Sequence, residues 1–294
     1  MISVRKLEKS YPFSKGILAR SMAPTGLPLE VVYEIVRKIQ HDLEAESVTT
    51  VESKDIRQRI RHELRERGHY EAEKNYRISR HIAQYERPVV IMVGGAAGVG
   101  KSALAAELAR RFGIDQVIGT DTIREIMRYM VPRDLMPVLH ESSFMAGKSL
   151  KNPYIKNKLI YAFGQQASLV GEGVRAYVER GKKEGVNTII NGVHLVPGHV
   201  HLNFDDPSMF YFHYIIYLSD EEEHRQRLHL RAEGSLRDPD RYIQHLNAIR
   251  RIQEYMRDMA EQANVLVIDN VDLESTVKMI MNDVTNALET EVVS

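Results

Sequence analysis

The stretch Val89-Val90-Ile91-Met92-Val93-Gly94-Gly95-Ala96-Ala97-Gly98-Val99-Gly100-Lys101-Ser102 decides how this chain folds. Its apolar, β-branched opening has the length and character of a buried strand. The glycine cluster that follows opens into Ala103-Leu104-Ala105-Ala106-Glu107-Leu108-Ala109, a run of strong helix formers. Gly95, four residues, then Gly100-Lys101-Ser102 fits the pattern G-x-x-x-x-G-K-[ST] in the strand-to-helix setting it requires. Glycines let backbone N–H groups turn toward a phosphate, and the helix N-terminus adds the positive end of its dipole. Gly95, Ala96, Ala97, Gly98, Val99, Gly100, Lys101, Ser102 and Ala103 are therefore expected to bind ATP. Lys101 is expected at the β- and γ-phosphates and the Ser102 hydroxyl on Mg²⁺.

Downstream, Gln116-Val117-Ile118-Gly119-Thr120-Asp121 reads as a short strand ending in a carboxylate, with a helix from Thr122. Strand C-termini of open parallel sheets face the ligand crevice, which places Asp121 near the transferred phosphate. A carboxylate there takes a proton from an acceptor hydroxyl or helps position Mg²⁺, and it also suits an N-cap. Arg124 and Arg128 lie one helical turn apart and would hold an anionic substrate, although Glu125 offers Arg128 a simple ion pair. Residues 132–158, punctuated by Pro132, Pro137, Gly147 and Pro153, read as an insertion over the substrate side. A helix is expected from Phe163 to Glu179. The strand after it ends in Asn191-Gly192-Val193-His194, where Asn191 and His194 are candidate substrate contacts. Tyr211 to Leu218 is a further strand. The helix after it carries Arg227 and Arg231 four residues apart, the spacing by which a lid neutralises moving γ-phosphate charge. A helix over Ile243–Glu261, a strand near 264–268 and a closing helix over 272–289 complete the pattern. Five strands alternating with helices call for an α/β fold with a parallel sheet covered on both faces.

Residues before the loop read differently. A short strand over Ile2–Leu7, a turn at Pro12-Phe13-Ser14-Lys15-Gly16 and four helical patterns follow one another, the last from Tyr70 to about Tyr85. This order, with Gly68-His69-Tyr70-Glu71-Ala72-Glu73-Lys74-Asn75-Tyr76-Arg77, resembles the ATP-cone, a small nucleotide-binding module. The resemblance implies a mainly helical ATP-cone-like domain over residues 1–86 and a kinase domain over 87–294, with Arg5, Lys6, Lys15 and Arg20 as phosphate contacts of the cone.

The 294 residues are 43% hydrophobic and 27% charged, enough to bury a sizeable core. Zero formal net charge gives no support to a nucleic-acid or anionic-membrane partner. Without cysteine there are no disulfides, thiolate metal sites or cysteine nucleophiles, which fits a reducing cytoplasm. No apolar run approaches the roughly 20 residues of a membrane span. A cytoplasmic enzyme is expected, and a homo-oligomer is compatible with the sequence.

Together, the Gly94–Ser102 loop, Thr120-Asp121-Thr122-Ile123-Arg124-Glu125-Ile126-Met127-Arg128, Leu139-His140-Glu141-Ser142-Ser143-Phe144 and Gly192-Val193-His194-Leu195-Val196-Pro197-Gly198 are similar to the archaeal 2-phosphoglycerate kinases. The resemblance spans nearly the whole chain. It implies a P-loop kinase fold, ATP and Mg²⁺, and phosphorylation of 2-phosphoglycerate at its 3-hydroxyl. One position departs from the family pattern: Asn191 stands where glutamate precedes Gly-Val-His. Asparagine holds a water or a hydroxyl but supplies neither a base nor a ligand charge. Two other readings stay open at this point, a kinase of another anionic alcohol and an ATP-sensing regulatory protein without turnover.

Overall fold

The computed structural model describes residues 2–6, 9–82, 87–233 and 239–293. Its contacts divide the chain into two compact units, residues 1–85 with 110–113 and residues 86–109 with 114–294.

The first unit comprises β1 (Ser3–Lys6), β2 (Lys9–Pro12), α1 (Lys15–Ser21), α2 (Leu29–Ala45), β3 (Thr50–Glu52), α3 (Ser53–Glu66) and α4 (Tyr70–Ile82). β1 pairs antiparallel with β2 and parallel with β3. Val32, Ile35, Val36, Ile39 and Leu43 form the buried stripe of α2, and they share a core with Ile56, Ile60 and Leu64 of α3. The four helices lie where the periodicity places them, the last as far as Ile82; the rest of its expected stretch to Tyr85 lies outside the described residues. β3 has no counterpart in the sequence reading, because three residues show too little alternation to register. Pro12, read as part of a turn, closes β2 instead. Of the basic positions singled out above, Arg5 faces Glu52 at 3.5 Å, and Lys15 and Arg20 are exposed. The Lys6 side chain lies outside the described residues.

The second unit is built on β4 (Val89–Gly95), followed by α5 (Lys101–Phe112), β5 (Gln116–Gly119), α6 (Thr120–Met130), α7 (Lys158–Glu184), β6 (Thr188–Gly192) and β7 (Phe210–Tyr217). Then come α8 (Glu221–Glu233), α9 (Pro239–Ile243), α10 (Leu246–Gln262), β8 (Leu266–Asp269) and α11 (Leu273–Val293). All five strands expected here are present, in the order β5-β6-β4-β7-β8, and every pairing is parallel. Every residue of β4 is buried, as a central strand covered on both faces must be. On one face Val90, Met92 and Ile190 pack against Ile123 of α6 and Val170, Val174 and Val178 of α7.

The chain leaves β4 toward β5 on one side and later takes up β7 on the other. That reversal opens a crevice at the strand C-termini. Register sets Gly94 beside Gly192 and Gly119 beside Asn191, so the loop, the start of α6 and the end of β6 lie at one level.

The helices differ from expectation in extent. α7 begins at Lys158, where the Asn157 side chain accepts from the Ile160 N–H at 3.3 Å, and it stops at left-handed Gly185. The helix expected over Ile243–Glu261 is α10, which starts at Leu246, after the short α9. Residues 137–149 form two 3-10 segments, Pro137–His140 and Ser143–Ser149. Among the described residues no helix is long and apolar enough to cross a membrane.

Candidate active site

The loop between β4 and α5 is gripped from behind. Its Ala97 carbonyl accepts from His224 Nε2 of α8 at 2.7 Å, and its Val99 carbonyl from Asn270 Nδ2, just past β8, at 2.8 Å. Among the described residues no peptide bond is cis, so each N–H points opposite the preceding carbonyl. The N–H groups of Gly98 and Gly100 therefore face away from those donors, as an anion nest requires. Gly100 has φ 92°, and a Cβ there would fall 2.5 Å from Asn270 Nδ2. Only glycine satisfies both the turn and the close approach.

Lys101 is buried, with Nζ donating to the Ala96 carbonyl at 2.5 Å. The ammonium thus curls over its own loop, where an incoming phosphate would offer a stronger acceptor. Ser102 is exposed, and its Oγ approaches Asn191 Oδ1 at 3.4 Å. Asn191, expected at the substrate, is drawn instead to Ser102 and to the Ile118 carbonyl at 3.5 Å. Ala103 is exposed in the first turn of α5.

Asp121 is exposed in the first turn of α6. It is not the N-cap, a place held by Gly119 without a side-chain bond. Asp121 lies within electrostatic reach of Arg124 and of His194, and Lys101 also acts on His194. The loop lysine, the carboxylate and the guanidinium thus all bear on one buried side chain, His194.

His194 corrects the sequence reading. It is fully buried, with Nδ1 2.8 Å from Thr120 Oγ1 and Nε2 3.2 Å from Gln166 Oε1, so both ring nitrogens are engaged within the protein. Gln166 Nε2 donates to the carbonyls of Val138 at 2.5 Å and Glu141 at 2.9 Å, which turns its oxygen toward the histidine. Nε2 of His194 must then carry the proton, and Nδ1 accepts from the Thr120 hydroxyl. Thr120 approaches so closely that a Cβ on residue 192 would fall 1.8 Å from its Oγ1, which is why glycine stands there. His194 ties the start of α6 to the 138–141 segment rather than touching a ligand.

Burial pushes the His194 pKa down to about 4; Asp121 pulls upward, while Arg124 and Lys101 push down. His213 is likewise pushed down to about 4 by burial, against the upward pull of its bond to the Leu195 carbonyl. An unfolded histidine titrates near 6.5. Between those values the unfolded chain binds protons that the folded chain does not, so stability falls as pH drops through that window. Each histidine is expected to cost about 2 kcal/mol between pH 7 and pH 5. Denaturant midpoints at the two pH values check this, and equal stability at both contradicts it.

One of the arginines also differs from expectation. Arg227 is not poised as a lid: Nε pairs with Glu223 at 2.7 Å, while Nη1 and Nη2 donate to the carbonyls of Asn270 at 2.8 Å and Val271 at 3.0 Å. It braces α8 against the turn after β8. The Arg231 side chain lies outside the described residues. Arg128 pairs with Glu125 at 2.8 Å. Arg124 is half-buried, and its Nη1 donates to the carbonyls of Leu139 at 3.3 Å and of Glu141. Burial pulls its pKa down and Asp121 pulls it up.

Thr120, Gln166, His224 and Asn270 have roles that sequence reasoning missed. Gln166 left a trace, since it interrupts the apolar face of Phe163, Ala167 and Val170 and is fully buried. A polar residue on a buried stripe is a sign of a hydrogen-bonding duty.

No protein-family model matches the chain. Among curated proteins it is 39% identical over 278 residues to the 2-phosphoglycerate kinase of Thermococcus kodakarensis, covering 95% of this chain and 94% of that protein. It is 39% identical over 285 residues to the 2-phosphoglycerate kinase of Pyrococcus horikoshii, covering 96% and 93%. Among solved structures it is similar to shikimate kinase from Acinetobacter baumannii in complex with shikimate, with a TM-score of 0.41 at 12% identity over 71% of this chain and 98% of that one.

Proposed function

The chain belongs to the 2-phosphoglycerate kinase family, and on that premise we propose that it transfers the γ-phosphoryl group of ATP to the 3-hydroxyl of 2-phosphoglycerate, yielding 2,3-bisphosphoglycerate and ADP. The observation that carries this reading is the shared neighbourhood of a phosphate cradle, the Asp121 carboxylate and the Arg124 guanidinium at the C-terminal edge of the sheet.

Phosphoryl transfer asks the protein chiefly for positioning and for charge to meet charge. The Gly98 and Gly100 N–H groups and Lys101 would hold the β- and γ-phosphates. Asp121 would orient the acceptor hydroxyl and take its proton as the new O–P bond forms and the bond to ADP breaks. Arg124, with Arg128 one turn later on the same helix, would hold an anionic group of the acceptor. Ser102 Oγ and Asn191 Oδ1, hard oxygen donors beside the cradle, suit Mg²⁺ or its waters. Bound there, the ion would neutralise charge on the phosphates. Asn191 brings no charge to that site. The first unit is proposed as an ATP-cone-like domain ahead of the kinase domain.

The test is ADP release by the full chain with ATP, Mg²⁺ and a panel of phosphorylated hydroxy acids, sugar phosphates and unphosphorylated hydroxy acids. Stimulation by 2-phosphoglycerate well above the rest is expected. A sugar phosphate preferred over it sinks the substrate assignment, and no stimulation by any acceptor sinks the transferase.

A further inference from the structure

Arg124 and Arg241 are hung on consecutive residues of one loop. Arg124 Nη1 donates to the Glu141 carbonyl, and Arg241 Nη2 of α9 donates to the Ser142 hydroxyl at 2.7 Å. Arg241 lies close enough to bear on the charge of Arg124, opposed by Asp121 and Glu125. Arg124 Nε, moreover, is a buried donor without a hydrogen-bond partner, and so is Arg128 Nε one turn later. A buried N–H left without an acceptor is costly, and an anionic ligand supplies what both lack. Arg241 is itself braced. Its guanidinium lies 5.8 Å from the Phe144 ring centroid, and Phe144 packs on Tyr242 and His245 at 5.5 and 5.3 Å. This exposed arginine is held in one direction rather than left to wave in solvent.

We propose that Arg124 and Arg241 form a two-point clamp that selects an acceptor bearing two anionic groups. Arg124 offers a desolvated edge suited to one planar carboxylate. Arg241, nearer to solvent, takes the more heavily charged and better hydrated phosphate. The clamp rests on the transfer reaction proposed above and deepens it. It makes the second anion, not the hydroxyl alone, the feature that admits a substrate. A hydroxy acid without phosphate loses the Arg241 contact and keeps the Arg124 one.

Calorimetric titration of the full chain with 2-phosphoglycerate, with glycerate and with a non-hydrolysable ATP analogue tests this without requiring turnover. Arg241→Gln is expected to weaken 2-phosphoglycerate binding on the order of 10- to 100-fold, the worth of a charge-assisted hydrogen bond. Affinity for glycerate and for the ATP analogue should stay within about twofold. Arg241→Lys, which keeps the charge and loses the fork, should fall between. Unchanged 2-phosphoglycerate affinity in Arg241→Gln overturns the clamp. So does a loss that appears equally with glycerate, a loss that falls on the ATP analogue instead, or a wild-type chain that binds neither acid. If the wild type phosphorylates a different acid, the transfer proposal fails by itself. The clamp is then scored by the variant's affinity for that acid with and without its phosphate.

Discussion

Lys101→Ala is expected to lower kcat on the order of 10³-fold, the cost of removing one donor aimed at developing charge. In the structure the ammonium is already taken out of water and held against the Ala96 carbonyl, so little reorganisation separates it from a bound phosphate. The N–H groups of Gly98 and Gly100 do not depend on it, because His224 and Asn270 set those peptide planes from outside the loop. ATP affinity should therefore fall less than turnover. The fold should persist, since the substitution removes a buried charge and the Ala96 carbonyl can find another donor. Steady-state kinetics beside a melting curve separate the two effects. A variant that melts as the wild type does and retains kcat within tenfold removes Lys101 from the transition state.

Asp121→Asn carries the next largest expectation, a fall in kcat of about 10²- to 10⁴-fold with ATP affinity nearly unchanged. The amide keeps the shape of the carboxylate and loses its basicity and its charge. Arg124, within electrostatic reach of Asp121, stays charged without it, so acceptor affinity should change far less than turnover. A plot of rate against pH distinguishes a proton acceptor from a mere orienter. An acidic limb is expected for the wild type and should be absent from the variant if Asp121 takes the proton. Turnover left intact ends its assigned role.

What the chain reveals by itself follows from how local each signal is. The β4 strand, the loop and α5 are contiguous, and their motif carries its own physics, so the strand, the turn and the helix were legible from residues 89–109. The five parallel strands were legible for the same reason, being apolar runs bounded by polar ends. Arg227 was misread because spacing on one helix says nothing of what lies opposite. The carbonyls of Asn270 and Val271, far along the chain, capture it. His194 was misread because a polar residue just past a strand end usually looks into the crevice, whereas here the polypeptide turns it inward between Thr120 and Gln166. Arg241 could not be found at all from local pattern. It sits on a single helical turn, and its companion Arg124 is brought near only by the tertiary fold. β3 escaped because three residues cannot display a period.

The central claim is that a γ-phosphoryl group passes to the free hydroxyl of 2-phosphoglycerate. The most direct measurement is ³¹P nuclear magnetic resonance of the full chain with ATP, Mg²⁺ and 2-phosphoglycerate. A second phosphomonoester signal should grow beside the first, matching authentic 2,3-bisphosphoglycerate and rising in step with ADP. Growth of inorganic phosphate alone, or ATP left unconsumed while the protein remains folded, would contradict it.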